Sequence, residues 1–252
     1  MSARALLLAG LAVSPLVSGC ERQAEPAPKP AATPAAAPAV PLSFKQKTAD
    51  AEATLTLPAE LRAHPALHRT LYDKEHATLT SFVEGAKAER AALGLELPPY
   101  TLEVTWRVAA ETDRLLSLIR EEGSYAGGAH PNSSTTTLLW DKQTGREAPS
   151  TVLFPTAAAH PDLERRLCDA LKAEKAERGG VELTGETWSC PKWKDVQLAL
   201  APSATKGDAG GVTALFSPYE VGPYAEGSYE ITLPASAVRA AVAPDYRAEF
   251  AG

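Results

Sequence analysis

A proline- and alanine-rich segment near the start of the chain limits where the folded domain can begin in the sequence. Between residues 24 and 41, eight of the eighteen residues are alanine and six are proline, and none is aromatic. Such a segment cannot bury enough apolar surface to form a core. In extended polyproline geometry, at about 3.1 Å per residue, it would act as a spacer of up to about 60 Å. We therefore predict a disordered tether over residues 20–43, a folded domain over 44–242 and a C-terminal tail over 243–252.

Residues 1–19, which precede this tether, have the layout of an export signal. A single cation, Arg4, is followed by the apolar stretch 5–16. That stretch is too short to span a bilayer permanently, because a spanning helix needs roughly twenty residues. The residues Val17-Ser18-Gly19-Cys20 resemble the lipobox of bacterial lipoproteins. This resemblance implies cleavage before Cys20 and lipid attachment to its thiol; the alternative is an ordinary secretory signal with an incidental cysteine.

Lipid attachment at Cys20 predicts a protein held on a membrane surface. Two or more acyl chains, at about 0.8 kcal/mol per buried methylene, anchor a protein stably. The next residue is Glu21 rather than Asp, and Asp at this position favours the inner membrane in the enterobacterial sorting rule. We therefore expect a cell-envelope lipoprotein that faces the periplasm, at the outer membrane rather than the inner one. The net charge of −6, with both signs interspersed, offers no basic stripe for nucleic acid.

Hydrophobic periodicity predicts an α+β domain, with an antiparallel sheet and helices packed against it. Apolar residues at helical spacing predict one amphipathic helix over 67–86, and Pro161 opens a second helix that Gly179-Gly180 ends. Strands are predicted at 44–56, 102–108, 115–121, 135–140, 196–200, 212–216 and 228–233. The strands between 102 and 140 read as an antiparallel meander. Helices and strands are segregated rather than strictly alternating, which favours the α+β class.

Three local patterns in this domain are similar to a known family. They are Tyr125-Ala126-Gly127-Gly128-Ala129-His130, Asp141-Lys142-Gln143-Thr144-Gly145, and Phe216-Ser217-Pro218-Tyr219-Glu220-Val221-Gly222-Pro223-Tyr224-Ala225-Glu226-Gly227. Their order and spacing resemble the extracytoplasmic domain shared by RsiV anti-sigma factors and the non-catalytic region of PdaC-type polysaccharide deacetylases. That domain is known as domain of unknown function 3298, with an N-terminal companion numbered 4163. The similarity extends over about residues 44–242.

The resemblance implies an α+β fold without intrinsic catalysis and a receptor role, because RsiV binds lysozyme. No sigma-binding region or spanning helix is recognisable, and no deacetylase domain follows the third motif, so neither of those roles is expected. We expect a non-catalytic domain that binds lysozyme or another cell-wall ligand. Two alternatives stay open: an enzyme that modifies peptidoglycan or another glycan, and a structural envelope lipoprotein without a soluble ligand.

The third motif contains the candidate ligand-binding residues. Tyr219 and Tyr224 each combine apolar area with a hydroxyl group, and Pro218 and Pro223 reduce the entropy lost when the loop is ordered. We predict that Pro218, Tyr219 and Tyr224 contact the ligand. The alternative is that the tyrosines pack back onto the sheet while glycine and proline shape the loop.

Charge and an imidazole complete this candidate site. Glu220 and Glu226 would add negative charge suited to a cationic partner. His130 lies inside the first motif and is predicted to contact the ligand with the tyrosines. The alternative for His130 is an imidazole that bonds loop backbone and fixes the turn.

Catalytic and metal-binding motifs do not stand out. His64 and His68 have helical zinc-site spacing, but Pro65 follows the first and no Glu occupies the position beside it. No Gly-x-Ser-x-Gly elbow, dinucleotide fingerprint or phosphate-binding glycine loop occurs. We expect no catalytic residue, no metal and no cofactor. Acid and base pairs of Asp and Glu stay open, because these residues are too common for spacing to identify them.

The remaining two cysteines suggest a covalent link. Cys168 lies in the second predicted helix and Cys190 follows 22 positions later. In an oxidising compartment beyond the inner membrane this pair can form a disulfide. We predict that it does; two free buried thiols are the alternative.

Overall fold

The computed structural model describes residues 39–93, 98–157, 160–185 and 187–252. The predicted signal peptide, Cys20 and nearly all of the predicted tether lie outside these residues. The described helices include none with the length and apolar character needed to cross a membrane.

The described residues form strands and helices in an α+β arrangement, as predicted. In chain order these are β1 (Ser43–Lys47), β2 (Ala51–Thr56), α1 (Pro65–Leu93), β3 (Tyr100–Glu111), β4 (Leu115–Tyr125), β5 (Asn132–Asp141), β6 (Arg146–Glu147), α2 (Ser150–Leu153), α3 (Pro161–Glu177), β7 (Gln197–Ala201), β8 (Gly211–Phe216), β9 (Tyr229–Pro234) and α4 (Ala235–Val238). Two sheets result, one with the order β1-β2-β3-β4-β5-β6 and one with the order β7-β8-β9.

The first sheet differs from the prediction at its beginning. The single strand predicted over 44–56 is wrong, because β1 and β2 are two antiparallel strands of a hairpin. The Thr48 hydroxyl oxygen accepts hydrogen bonds from the backbone N–H groups of Asp50 and Ala51 at 3.1 and 3.0 Å, which closes the turn. The pair β2–β3 is parallel, with α1 in the crossover, whereas β3, β4 and β5 form the predicted antiparallel meander.

Helix α1 covers one face of this sheet. Its buried stripe includes Leu67, Leu71 and Leu79, which belong to one apolar cluster with Val104 and Leu118 of the sheet. This stripe is the helical periodicity that the sequence displays.

The same interface contains a buried charge with partners. Glu75 of α1 accepts hydrogen bonds from Arg120 Nε at 2.8 Å and from Trp106 Nε1 at 3.2 Å. A buried carboxylate needs such partners to offset its loss of hydration. This network fixes the first sheet to α1.

The second sheet has a core of its own, formed with α3 and the C-terminus. The residues 243–252, predicted to be a tail, instead pack into this core. Tyr246 and Phe250 are only 8% and 2% exposed, and the backbone N–H of Ala209 donates to the Glu249 carbonyl at 2.7 Å. Two aromatic side chains in ten residues gave the segment enough apolar area to join the core.

Helix α3 begins at Pro161 and ends at Glu177, close to the predicted glycine stop. Gly179 has a φ of 67°, and the N–H of Gly180 bonds the Lys175 carbonyl at 2.7 Å, a helix-ending arrangement that favours glycine. A disulfide joins Cys168 of α3 to Cys190, with the Cα atoms 5.3 Å apart. The segment before β7 is therefore attached to α3.

The two sheets meet through β7, and this contact positions the loops at one end of the molecule. The Leu200 N–H donates to Ser117 Oγ at 3.0 Å, across the sheets. Farther along, the Thr135 N–H of β5 donates to Ser217 Oγ, just after β8, also at 3.0 Å. The β4–β5 loop and the β8–β9 loop consequently lie side by side.

Candidate functional site

These adjacent loops bring together three residues that the motifs singled out. The rings of His130 and Tyr224 stack, with centroids 3.8 Å apart and an interplanar angle of 18°. The Tyr219 ring lies 6.3 Å from His130 and 5.7 Å from Tyr224. We call these three residues the loop cluster. His130 comes from the β4–β5 loop, and both tyrosines come from the β8–β9 loop.

Tyr219 has a strained backbone. Ser217 to Glu220 form a turn in which the Glu220 N–H donates to the Ser217 carbonyl at 3.2 Å. Pro218 occupies the second position of this turn, and Tyr219 follows with a φ of 74°. Across the part of the chain that the structure describes, no other non-glycine residue has a positive φ. A turn with proline and then a positive φ is of type II and ordinarily takes glycine or asparagine at this position.

The strain at Tyr219 is not accompanied by burial of its side chain. The left-handed conformation costs an ordinary residue about 1–2 kcal/mol. Yet Tyr219 is 52% exposed, so the alternative in which this tyrosine packs onto the sheet is not what the structure has. Strained residues of this kind cluster at binding and active sites.

Hydrogen bonds define the tautomer of His130. Its Nδ1 lies 2.8 Å from the Pro131 carbonyl oxygen, which can only accept, so Nδ1 carries the hydrogen. In the neutral ring Nε2 is then an acceptor, and the Tyr219 hydroxyl, 3.2 Å away, donates to it. His130 therefore bonds loop backbone, as the alternative reading held, and also orients Tyr219.

Glu226 differs from its predicted role. Rather than presenting charge to a partner, it is turned inward and forms an ion pair with Lys175 of α3 at 2.5 Å. The two side chains are only 11% and 3% exposed. The Tyr229 hydroxyl and the Val181 N–H also donate to this carboxylate, each at 2.6 Å. Glu226 thus anchors the loop that carries both tyrosines.

The titration of the anchor follows from these contacts. Burial opposes ionisation of Glu226, but the hydrogen bonds from Lys175, Tyr229 and Val181 outweigh it and lower its pKa to about 2. Burial and the Glu226 hydrogen bond raise the pKa of Tyr229 to about 12. At neutral pH, Glu226 is therefore charged while Tyr229 keeps the proton that it donates.

Close backbone approach makes the anchor possible. A Cβ added at Gly222 would collide with the Glu226 carboxylate and with Lys175 Nζ, and one at Gly180 would also meet the Glu226 carboxylate. Arg178 adds a hydrogen bond from Nη1 to the Ser228 carbonyl at 2.9 Å. These contacts assign a structural task to Gly222 of the third motif.

Lys175 is a residue that the motifs did not single out, although the sequence contained a signal. It continues the four-residue spacing of Leu163, Leu167 and Leu171 along the buried stripe of α3. A lysine on such a stripe needs a buried partner. The Val221 carbonyl, which accepts from Lys175 Nζ at 2.8 Å, and Glu226 supply it.

Of the remaining sequence candidates, the two histidines of the helical zinc-site spacing lie apart from the loop cluster, whereas Pro218 and Glu220 flank Tyr219. His68 Nε2 lies 2.9 Å from the Pro41 carbonyl, and His64 lies 3.6 Å from Glu111. Among the described residues, no three His, Cys, Asp or Glu side chains are grouped as metal ligands would be. Pro218 is half-buried and Glu220 is exposed at the base of the Tyr219 turn.

The fold and these loops define an α+β domain with a candidate binding site on two adjacent loops. Residues 40–133 match the family model described as Deacetylase PdaC, and residues 159–236 match the model described as Protein of unknown function (DUF3298). The chain thus carries a PdaC domain followed by a DUF3298 domain, in agreement with the resemblance read from the motifs. No curated protein matches the chain.

Solved structures agree on the fold. A crystal structure of a DUF3298 family member from Bacteroides fragilis has 19% identity and a TM-score of 0.53, and the match covers 82% of this chain and 95% of that one. A DUF3298 family protein from Pseudomonas aeruginosa has 18% identity and a TM-score of 0.50, covering 83% and 94%.

The loop cluster is assembled from both matched regions. His130 lies within the PdaC match at 40–133, whereas Tyr219 and Tyr224 lie within the DUF3298 match at 159–236. A site of this kind requires both regions in one chain, because neither supplies all three rings.

Proposed function

We propose that this protein is a cell-envelope lipoprotein, anchored through Cys20, whose domain binds a cell-wall-associated protein such as lysozyme through the loop cluster. The proposal draws on the lipobox at residues 17–20 and on the resemblance to RsiV. Its molecular part rests on the site itself.

The observation that carries the proposal is the exposed and strained conformation of Tyr219. A side chain that is 52% exposed and held at a φ of 74° contributes little to the core. Glycine would satisfy the turn without strain, so the turn itself does not require a tyrosine side chain. Tyrosine supplies large contact area at low entropic cost, and such residues dominate binding energy at protein interfaces.

The surrounding contacts prepare this surface for binding. The hydrogen bond with His130 and the tilted contact with Tyr224 restrict the Tyr219 ring, while the Glu226–Lys175 pair holds the loop beneath it. A contact surface that is already ordered loses less entropy on association.

The test measures binding of lysozyme to the full chain, purified in detergent, by biolayer interferometry. Tyr219→Ala and Tyr224→Ala should each weaken binding by about 2 kcal/mol, or roughly thirtyfold in Kd. The chain offers a matched control in Tyr72, which stacks on His76 at 5.7 Å with Phe44 nearby. Tyr72→Ala should leave Kd unchanged. Absence of lysozyme binding at micromolar concentration would discard lysozyme as the ligand.

A second candidate is favoured by the description of the PdaC match, which contains His130. In that case the chain modifies peptidoglycan or an acetylated glycan, and His130→Ala abolishes turnover. Incubation of the full chain with peptidoglycan, followed by mass analysis of the released fragments, separates the two candidates. Co-sedimentation with unaltered peptidoglycan, without lysozyme binding, would instead favour a structural envelope role.

A further inference from the structure

A groove of about 410 Å³ lies beside the loop cluster. One wall is the disulfide-linked segment with Trp188 and Cys190, and the other is the loop that carries Glu220 and Val221. Glu220 directly follows Tyr219, so the groove continues the surface proposed for binding. A volume of this size is in the range of ligand pockets.

The groove has an apolar floor and a charged rim. Phe216, Val196 and Val221 are buried at its base, while Trp188 is half-buried in its wall. Glu220, Asp195 and Lys192 are exposed at the rim. This arrangement suits a side chain with an aliphatic stem and a cationic end, because the stem packs on apolar surface while the charge meets a carboxylate.

The rim charges favour a cation over an anion. Lys194 is bound to Asp195 at 2.8 Å, and Lys192 faces Glu164 at 3.4 Å. Over the described residues, Glu220 forms no ion pair with a lysine, arginine or histidine. Its carboxylate is therefore available, and Trp188, an aromatic residue of the type that attracts cations, lines the same groove.

Two constraints hold the Trp188 wall in place. Cys190 is bonded to Cys168 of α3, and the Trp188 carbonyl accepts from the Gly185 N–H at 2.8 Å. Both bonds restrain the backbone of this wall, at Trp188 and at Cys190. The groove is consequently formed before a partner arrives.

We propose that this groove receives an arginine or lysine side chain of a basic protein partner, with Glu220 meeting the charge and Trp188 covering the stem. The inference rests on the proposed function, because the partner is the same protein. The groove is a second contact area, which recognises the positive charge of that partner. It separates two tasks: the loop cluster supplies aromatic contact, and the groove selects for positive charge.

The test uses a tetra-arginine amide peptide as the probe, with a tetra-glutamate peptide for comparison, and the full chain in detergent. Isothermal titration should detect tetra-arginine only. Glu220→Gln should weaken it about fivefold, and Trp188→Leu about threefold to fivefold. Glu103→Gln, which removes an exposed carboxylate from β3, should have no effect. Raising the ionic strength should weaken binding to the unsubstituted chain.

The outcomes separate the groove from the proposed function. If the Glu220→Gln and Trp188→Leu variants bind tetra-arginine as tightly as the unsubstituted chain does, the groove assignment is overturned. Absence of binding to the unsubstituted chain at millimolar peptide also overturns it. If lysozyme binds in a manner that depends on Tyr219 but on neither Glu220 nor Trp188, the groove assignment is again wrong. If lysozyme does not bind while tetra-arginine binds as expected, the groove stands and the lysozyme proposal fails.

Discussion

The described part of the chain contains two clusters of two aromatic rings and a histidine, and they are built differently. In the first, Phe44, Tyr72 and His76 are half-buried between β1 and α1, with ordinary backbone geometry. In the loop cluster, His130 and Tyr219 are 89 positions apart, and Tyr219 is strained and exposed. The same ring chemistry thus serves packing in one region and presents a surface in the other. Backbone strain without burial is what distinguishes a candidate binding site from a packed cluster.

The largest expected effect comes from removing the support of the loop cluster. Lys175→Met leaves the Glu226 carboxylate without its ion-pair partner in a poorly hydrated position, which should lower the free energy of unfolding by about 3–5 kcal/mol. Lys172→Met, on the exposed side of α3, should change it by less than about 0.5 kcal/mol. Urea unfolding monitored by circular dichroism measures both. Equal stability of the two variants would show that the pair does not hold the loop.

Acid should weaken this support through Glu226. Because its pKa is lowered to about 2 from an ordinary value of 4.5, its contribution is present above pH 4.5 and is lost as pH falls toward 2. That contribution is at most about 3 kcal/mol, and partial exposure reduces it. The unfolding free energies of the unsubstituted chain and Glu226→Gln, measured from pH 6 to 2, should therefore converge in acid. A constant difference would contradict the lowered pKa.

Removal of the disulfide tests whether the wall of the neighbouring groove depends on this bond. The Cys168–Cys190 link closes a loop of 22 positions, for which chain entropy predicts roughly 3 kcal/mol of stabilisation. Replacing both cysteines by serine should lower the free energy of unfolding by about that amount or less. It should also weaken the binding of tetra-arginine more than the binding of lysozyme. If mass analysis finds both thiols free in the unreduced protein, the disulfide is absent and this prediction is contradicted.

The smallest effect concerns the strain itself. Glycine adopts a positive φ without the cost that alanine meets, so Tyr219→Gly should be more stable than Tyr219→Ala by about 1 kcal/mol. The same pair of substitutions at Tyr72, inside α1, should give the opposite order by about 1 kcal/mol. Thermal unfolding of the four variants measures both differences. The same order at both positions would show that Tyr219 is not held in the left-handed conformation.

Sequence patterns predicted the longer helices and most strands of this fold, although they merged β1 and β2 into one strand. The alternation of Leu102, Val104 and Trp106 gave β3, and the four-residue spacing on α3 gave its buried stripe. Such patterns are local, and each depends on which side of one element is buried. The parallel pairing of β2 with β3 and the split into two sheets depend on distant contacts, which periodicity does not record.

The candidate site was predicted in part, and for a different reason. The motifs pointed to His130, Tyr219 and Tyr224 by family resemblance, whereas no local pattern could place a β4–β5 loop beside a β8–β9 loop. Glu226 was expected at the surface because carboxylates usually lie there. Its inward orientation follows from Lys175, 51 positions away, and from glycine positions that leave room for the carboxylate.

The affinity of the Tyr219→Gly variant for lysozyme tests the central claim most directly. This substitution preserves the turn and relieves its strain, so a loss of binding cannot be attributed to a misfolded loop. We predict that Kd rises about thirtyfold while the free energy of unfolding does not fall below that of Tyr219→Ala. An unchanged Kd in the folded Tyr219→Gly variant would contradict the assignment of the loop cluster as the binding surface.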